Sequence, residues 1–432
     1  MIFFYLLLNS IYIIFSLKLF KKAFNPISIY SAIWVLVVSL YELKLVHYYD
    51  LTMYTWLIII LFQLLYNIGC VFGGTLKLKS GSITILKTEN YASEKELKKT
   101  IIILTSIAAI GIISNVLIGI RQYGFNLLQF TNQLYVARLQ GDIETGIPYL
   151  GSFIYPALIL EGYYLSKYKF KKFLLIPVIL LMLNALKSAG RLGIVQGLFF
   201  VLVPILLNRV EKKQKNKTRK NNKSKIWIFI TIGLFVVIFA VISMNKSTWI
   251  TINPYMSPLM IKLVEYEPAI YKTYIYVTTP IGVLNEFLKD PTFNFGGHTF
   301  LTVYNFLNKI GFDIPVEAYQ QFYTVPIRGN VGSYIRELIE DFGVVLALAT
   351  TFLTGIIYSY SYKKYLRTNS FTSLIWMTTY SFIIIFSFFM WQIRSSSTWI
   401  LLIIGTIVAY ILDRNESKRR WKHEYNNNIK LQ

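Results

Sequence analysis

The segment Asn330–Gly343, NVGSYIRELIEDFG, combines side chains that could carry out chemistry on a phosphate or a hydroxyl. If residues 333–342 form a helix, Arg336 and Glu340 are i,i+4 partners on one face. The guanidinium fork of Arg336 suits phosphate oxygens, and Asp341 would act as a general base or orient Arg336. The simpler interpretation is a solvated helix end with one ion pair, worth roughly 0.3–0.5 kcal/mol.

Four further cations are candidates for binding an anion. Lys187 and Arg191, in LKSAGRLG, are four residues apart, so a continued helical turn would put both on one face. Arg394, in WQIRSSS, and Arg328 lie in other polar segments. Because arginine grips phosphate through two parallel donors, these residues predict a site for a lipid-linked pyrophosphate. The alternative is that they reach out to phospholipid headgroups.

Residues 245–340 also contain candidates for a base and for sugar contacts. His298, in FGGHTF, can take a proton near neutral pH, and Glu265 and Glu267 offer carboxylates. Tyr274 and Tyr334 could stack on sugar rings. The simpler interpretations are an exposed histidine and the tyrosines that are common at any membrane interface.

Composition indicates an integral membrane protein. The 432 residues are 55% hydrophobic with a mean hydropathy of +0.50, and 15% are charged, against about 25% in soluble domains. The net charge of +23 reflects basic loops such as 209–225 and 413–422, which have no aromatic platform. We therefore expect loops beside an anionic leaflet and no nucleic acid.

One cysteine, Cys70, and three separated histidines predict no disulfide, no metal site and no cofactor.

Apolar runs near twenty residues predict an all-α, polytopic transmembrane bundle of about eleven spans. They lie near 2–20, 26–42, 53–74, 100–120, 148–166, 173–186, 192–208, 226–244, 341–360, 371–391 and 397–412. Most of the 44 basic residues then fall on one side, which by the positive-inside rule places the N-terminus outside and the C-terminus inside.

This pattern divides the chain into three regions. Residues 1–244 hold spans one to eight, 245–340 form a long extracytoplasmic loop with short helices, and 341–432 hold the last three spans and a basic cytoplasmic tail. Within the loop, Thr279-Pro280 predicts a cap and a first-turn proline that open a short helix.

Four motifs, in this order, resemble the integral-membrane O-antigen and capsular oligosaccharide repeat unit polymerases. They are SAGRLG (188–193), YIYVTTPIGVLNEFL (274–288), GGHTF (296–300) and NVGSYIRELIEDFGVV (330–345). In that family a motif of the type Asn-Val-x-Thr-…-Arg-…-Asp-Phe-Gly enters the span after the large outer loop. Asn330, Arg336 and Asp341 match it, whereas Ser333 replaces the usual threonine and Glu337 stands where proline is frequent. The resemblance covers roughly residues 180–400.

The resemblance implies a GT-C-like glycosyltransferase in the bacterial cytoplasmic membrane. It would move a growing glycan from undecaprenyl pyrophosphate onto the next lipid-linked repeat unit at the outer face, with Asn330 in substrate binding. Donor and acceptor are both undecaprenyl-pyrophosphate-linked oligosaccharides; membrane lipids, a chain-length regulator and a flippase are candidate partners. Arg191 and Arg336 would neutralise the leaving group, while a carboxylate or His298 would take the hydroxyl proton. Two alternatives stay open: a glycan ligase using the same donor, and a lipid-linked oligosaccharide flippase or transporter.

Overall fold

The computed structural model describes residues 1–77, 94–124, 147, 149–188, 191–215, 254–316 and 320–429. This part of the chain is mostly helical, which confirms the all-α class. The chain forms two compact units. The first comprises Met1–Thr84, Trp249–Thr368 and Tyr380–Thr398; the second comprises Ile85–Thr248, Asn369–Thr379 and Trp399–Gln432.

The α-helices of the described residues run as follows. They are α1 (Ile2–Phe20), α2 (Pro26–Glu42), α3 (Met53–Thr75), α4 (Glu94–Tyr123), α5 (Ile154–Lys167), α6 (Leu175–Ser188), α7 (Arg191–Lys215), α8 (Pro258–Tyr266), α9 (Pro268–Phe287), α10 (Leu301–Lys309), α11 (Ser333–Thr368), α12 (Phe371–Ile385), α13 (Ser396–Ile400) and α14 (Thr406–Ile429). Short 3₁₀ helices lie at Leu150–Phe153, Lys172–Leu174 and Gln392–Arg394, and a π-helical turn, Leu401–Gly405, joins α13 to α14.

Several of these helices are long and apolar enough to cross a membrane, as the sequence predicts. They are Ile2–Phe20, Met53–Thr75, Glu94–Gln122, Ser333–Thr368 and Ser396–Lys418. Shorter apolar helices lie at Pro26–Glu42, Lys172–Ala185, Leu192–Asn208 and Phe371–Ile385. The predicted span at 226–244 lies outside the described residues. These helices indicate a membrane protein, and within the described residues they overlap the predicted apolar runs.

Close packing of α3 against α11 forms the centre of the first unit. A Cβ on Gly69 would lie 2.1 Å from the carbonyl oxygen of Phe352, and one on Gly355 would lie 2.3 Å from that of Tyr66. Only glycine allows the two backbones to approach this closely, as between helices that associate inside a membrane.

The segment before α11 contains α8, α9 and α10, and a small antiparallel hairpin of β1 (Tyr323–Thr324) and β2 (Arg328–Gly329). Ser257 caps α8 by accepting a hydrogen bond from the Met260 N–H. The predicted helix start at Thr279-Pro280 is wrong, because α9 begins at Pro268 and Pro280 lies inside it. Pro280 removes one backbone hydrogen bond and its ring crowds the carbonyl of Tyr276, yet α9 continues through it to Phe287.

Helix α11 consists of two parts that meet at Gly343. The backbone enters the helix at Ser333 with φ +68° and breaks at Gly343 with φ +67° and ψ 171°. Residues 333–342 are helical, as predicted, and the break separates their charged side chains from the apolar part that follows. The charged part is nevertheless buried from Ser333 to Asp341. This burial decides the character of the site.

In the second unit, Asp413 caps the start of α12. Its carboxylate accepts hydrogen bonds from the Phe371 N–H (2.7 Å) and the Thr372 N–H (3.0 Å). In the same unit a Cβ on Gly162 of α5 would lie 2.3 Å from the Val201 carbonyl oxygen of α7, so these helices also pack backbone to backbone.

Candidate active site

A turn in GGHTF closes around the end of the charged part of α11. The Asn294 N–H donates to the Glu340 carbonyl oxygen at 2.8 Å. Phe295 and Gly296 have φ of +53° and +85°, so the chain reverses direction there. This reversal brings His298 beside two carboxylates that are more than forty residues away in sequence.

Asp341 holds this turn in place. Its Oδ1 accepts from the His298 N–H at 2.8 Å, and its Oδ2 accepts from the Thr299 N–H at 2.6 Å and the Thr299 hydroxyl at 2.5 Å. Among the described residues, its hydrogen bonds all go to this turn and none to Arg336. Asp341 is therefore a buried positioning residue for the turn that carries His298.

His298 and Glu340 form a buried pair. Nε2 of His298 lies 2.7 Å from Oε2 of Glu340 and 3.0 Å from the amide nitrogen of Asn294. Nε2 cannot donate to the first and accept from the second at once, and the shorter contact to a carboxylate favours donation to Glu340. Within the described residues both contacts of the imidazole use Nε2, so Nδ1 remains for a proton or a substrate.

The charges around His298 favour its protonated form. Burial lowers the pKa of His298, but the hydrogen bond to Glu340 and the charges of Glu337, Glu340 and Asp341 outweigh burial, so the pKa is raised above 6.5. In the described part of this cluster three carboxylates face two guanidinium groups. A protonated His298 makes the cluster neutral, which is the physical reason for the shift.

Arg336 lies fully buried on the other side of Glu340. Its Nε and Nη2 both lie 3.0 Å from Oε1 of Glu340, and Nη1 donates to the carbonyl oxygen of Asn330 at 2.7 Å. Its guanidinium carbon lies 5.0 and 5.4 Å from the ring centres of Tyr323 and Phe287. The predicted i,i+4 pair is confirmed. Because Nε and Nη2 share one oxygen, Nη2 has no well-directed hydrogen bond among the described residues.

A second ion pair extends the cluster to Arg394. Nη1 of Arg394 lies 2.7 Å from Oε1 of Glu337, which also accepts from the Gln320 amide at 2.9 Å. Oε2 of Glu337 accepts from the Trp391 N–H at 2.6 Å. The Arg394 side chain retains 15% of its exposure, whereas Arg336 retains none. Arg394 is therefore the cation of the cluster that a ligand can reach.

Aromatic side chains form the apolar side of the cluster. The Trp391 indole N–H donates to the Thr299 hydroxyl at 3.1 Å, and its ring lies 6.1 Å from that of Tyr334. The Tyr334 hydroxyl is 2.6 Å from that of Tyr30, and Trp34 lies against the same ring. Tyr334, predicted to stack on a sugar, is only 2% exposed and belongs to this core.

Other predicted site residues of this unit lie apart from the cluster. Glu265 and Glu267 are exposed at and after the end of α8. The Tyr274 hydroxyl donates to the Leu40 carbonyl oxygen at 2.8 Å and so ties α9 to α2. Arg328 is exposed and stacks on the Phe322 ring at 4.6 Å.

The side chains of Lys187 and Arg191 lie outside the described residues. The backbone description places Arg191 at the first position of α7, where the sequence motif also predicts a helix start. The functional roles predicted for these two cations stay predictions.

The sequence interpretation missed several residues that build the cluster. The sequence interpretation named Glu340 as the i,i+4 partner of Arg336 and Glu337 as a departure from a motif, and it chose neither as a site residue. Thr299 and Trp391 each lie inside a chosen motif, GGHTF and WQIRSSS, and that membership was the available signal. Nothing in the sequence indicated Asn294 or Gln320.

The cluster offers a buried proton acceptor beside a reachable cation. Within the described residues no group of three or more histidine, cysteine or acidic side chains could hold a metal ion. No family model, curated protein or solved structure matches this chain.

Proposed function

We propose that this chain is a membrane-embedded polysaccharide polymerase. It joins undecaprenyl-pyrophosphate-linked repeat units into a long surface glycan at the outer face of the bacterial cytoplasmic membrane. The proposal includes about eleven spans, an extracytoplasmic N-terminus and a cytoplasmic C-terminus, which follow from the distribution of basic residues.

The observation that carries the proposal is the meeting of motifs that are distant in sequence. GGHTF and the segment Asn330–Gly343 share the Glu340–His298 pair and the bonds to Asp341, and Arg394 joins them through Glu337. GGHTF and the segment Asn330–Gly343 are two of the four motifs through which the chain resembles the polymerase family. A buried histidine, carboxylates and cations at the head of an apolar helix also suit a substrate with a lipid tail and a charged head.

The reaction joins two sugars and releases a lipid pyrophosphate. The oxygen of an acceptor hydroxyl attacks the anomeric carbon of the donor, and the bond from that carbon to the pyrophosphate oxygen breaks. His298 acts in its neutral form, in which Nδ1 takes the hydroxyl proton and then passes it to water; the charges that raise its pKa make the neutral imidazole scarcer but a stronger base. The leaving pyrophosphate keeps the electron pair of the broken bond, and Arg394 counters its negative charge.

Arg336 and Asp341 serve this chemistry through position. Arg336 holds Glu340, and Glu340 orients the imidazole through Nε2. Asp341 fixes the backbone of His298. Preorganised partners of this kind keep a catalytic group aligned without rearrangement during the reaction.

Deletion of the gene tests the function. We expect cells that carry single repeat units on the surface acceptor and no long chains, because other proteins assemble and flip the donor. Complementation with His298→Gln, which still donates to Glu340 but cannot take a proton, should leave the same single-unit pattern. Lys289→Ala, which alters an exposed cation of the same unit, should restore the ladder. Electrophoresis of the surface glycan gives the readout.

The same gel separates the alternatives. Loss of a flippase would keep the repeat unit inside the cell, and loss of a ligase would leave long chains attached to lipid. A normal ladder in the deletion strain would refute the polymerase proposal. A normal ladder with His298→Gln alone would remove His298 from the chemistry.

A further inference from the structure

An aromatic turn lies directly beside the cluster and points outward. Residues 291–297, PTFNFGG, carry no charge. Phe293 and Phe295 are 51% and 77% exposed, and their rings contact each other with centres 4.4 Å apart. A turn exposed to water ordinarily has polar side chains at such positions. The two exposed rings therefore indicate that this surface contacts an apolar environment.

The backbone at Phe295 strengthens this interpretation. Its φ is +53°, a left-handed conformation that a bulky side chain rarely adopts and that costs roughly 1–2 kcal/mol. Glycine or asparagine is the usual residue at such a position. Phe295 bears this strain although its ring is mostly exposed, so burial of the ring within the described chain does not offset the cost.

A continuous row of contacts connects this turn with the apolar surface of α11. The Tyr304 hydroxyl donates to the Phe295 carbonyl oxygen at 3.0 Å, and the Tyr304 ring lies 6.1 Å from that of Phe300. Phe300 in turn lies 6.3 Å from Phe342, the last residue before the break in α11. Just beyond the break, Val345 and Leu346 are 78% and 60% exposed, on a helix long and apolar enough to span a membrane.

We propose that Phe293 and Phe295 insert among the acyl chains of the leaflet at the charged end of α11. Phenylalanine is among the apolar side chains that surface-bound segments bury at the boundary of headgroups and acyl chains, and the uncharged turn allows both rings to enter it. Asn294 lies between them and is bonded to the Glu340 carbonyl, so the anchor holds His298 at the lipid surface. The anchor does not depend on the polymerase proposal, since it requires only that α11 spans a membrane.

A quenching experiment on the full chain in liposomes tests the anchor. The single cysteine, Cys70, is buried and is replaced by alanine, and one new cysteine then carries a polarity-sensitive fluorophore. Phe295→Cys and Phe293→Cys report the turn, Val345→Cys reports the span, and Thr324→Cys reports the exposed hairpin of the same unit. The quencher is a phospholipid that carries a nitroxide on its acyl chain, close to the ester bond.

We expect quenching and a blue-shifted emission at Phe295 and Phe293 that approach those at Val345 and exceed those at Thr324. Two labelled positions in the turn guard against the loss of one variant by misfolding. Quenching at positions 293 and 295 no greater than at Thr324 would overturn the anchor. A signal that depends on protein density but not on the nitroxide lipid would assign the turn to a second copy of the chain, and would overturn it as well.

Discussion

Glu340 binds a different cation with each of its carboxylate oxygens. Oε1 contacts Arg336 and Oε2 contacts His298, and all three side chains are nearly or fully buried. Breaking a buried ion pair by removing one partner leaves the other charge without compensation inside the protein. Glu340 is therefore the residue on which the cluster depends most, although its neighbour Asp341 matches the family motif.

The first prediction concerns the charge of Glu340. We expect Glu340→Gln to lower the unfolding free energy by about 3 kcal/mol, because Arg336 stays buried without a counter-ion. Glu286→Gln is the matched control, since Glu286 pairs with the exposed Lys289 and its loss should cost under about 1 kcal/mol. Thermal unfolding in detergent compares the two. Equal shifts would mean that Arg336 finds another partner.

The second prediction concerns pH. The folded pKa of His298 is raised, so its protonation stabilises the fold fully below the unfolded value of about 6.5. This stabilisation is lost as the pH rises through the folded pKa. The difference in unfolding temperature between the wild type and His298→Gln should therefore be larger at about pH 5.5 than at about pH 9. A difference that does not change with pH would contradict the ion pair.

At the scale of elements, the backbone contact between α3 and α11 fixes the position of the helix that carries the site. The charged part of α11 begins the same helix that packs against α3 through Gly69 and Gly355. Arg336, Glu337 and Glu340 lie before the break at Gly343, so the part of α11 that packs on α3 fixes the point from which their part extends. The position of the cluster therefore depends on residues that perform no chemistry.

The third prediction compares two glycines of α3. Gly69→Ala places a methyl group 2.1 Å from the Phe352 carbonyl oxygen, so the helices must separate, at a cost of about 1–3 kcal/mol. Gly74→Ala meets only side-chain atoms, at 3.2 Å, and should be nearly neutral. Detergent-solubilised yield and unfolding temperature measure both. If Gly69→Ala is tolerated as well as Gly74→Ala, the close approach of the helices does not limit stability.

At the scale of the whole molecule, the apolar helices and the basic loops together predict a topology. Positive-inside reasoning places Lys215, the last residue of α7, on the cytoplasmic side and Asn308 in the extracytoplasmic region. Asn308 lies in α10, close in sequence to the aromatic turn. The orientation therefore decides which leaflet the cluster can serve.

The fourth prediction tests this orientation. Reporter fusions after Lys215 and after Asn308 should give opposite results with a reporter that is active only on one side of the membrane. As a control, a second reporter that is active only in the cytoplasm is fused at the same two positions and should give the opposite pattern. Cytoplasmic signals at both positions would place the cluster inside the cell and end the proposal of a reaction at the outer face.

The sequence by itself determined the features that follow from local periodicity and composition. Long apolar runs need membrane-spanning helices because hydrocarbon satisfies no backbone hydrogen bonds. The i,i+4 spacing of Arg336 and Glu340 likewise specified their ion pair, since one helical turn brings such residues together.

Only the tertiary structure decided which distant residues join that pair. His298 is 42 residues from Glu340, and Arg394 is 57 from Glu337, so their meeting depends on how a strained turn and a short 3₁₀ helix pack against α11. Packing also buried Arg336 completely and left Arg394 partly exposed. The burial of a side chain depends on all the segments that pack around it. A local stretch of sequence describes only one of those segments, so it does not show the burial.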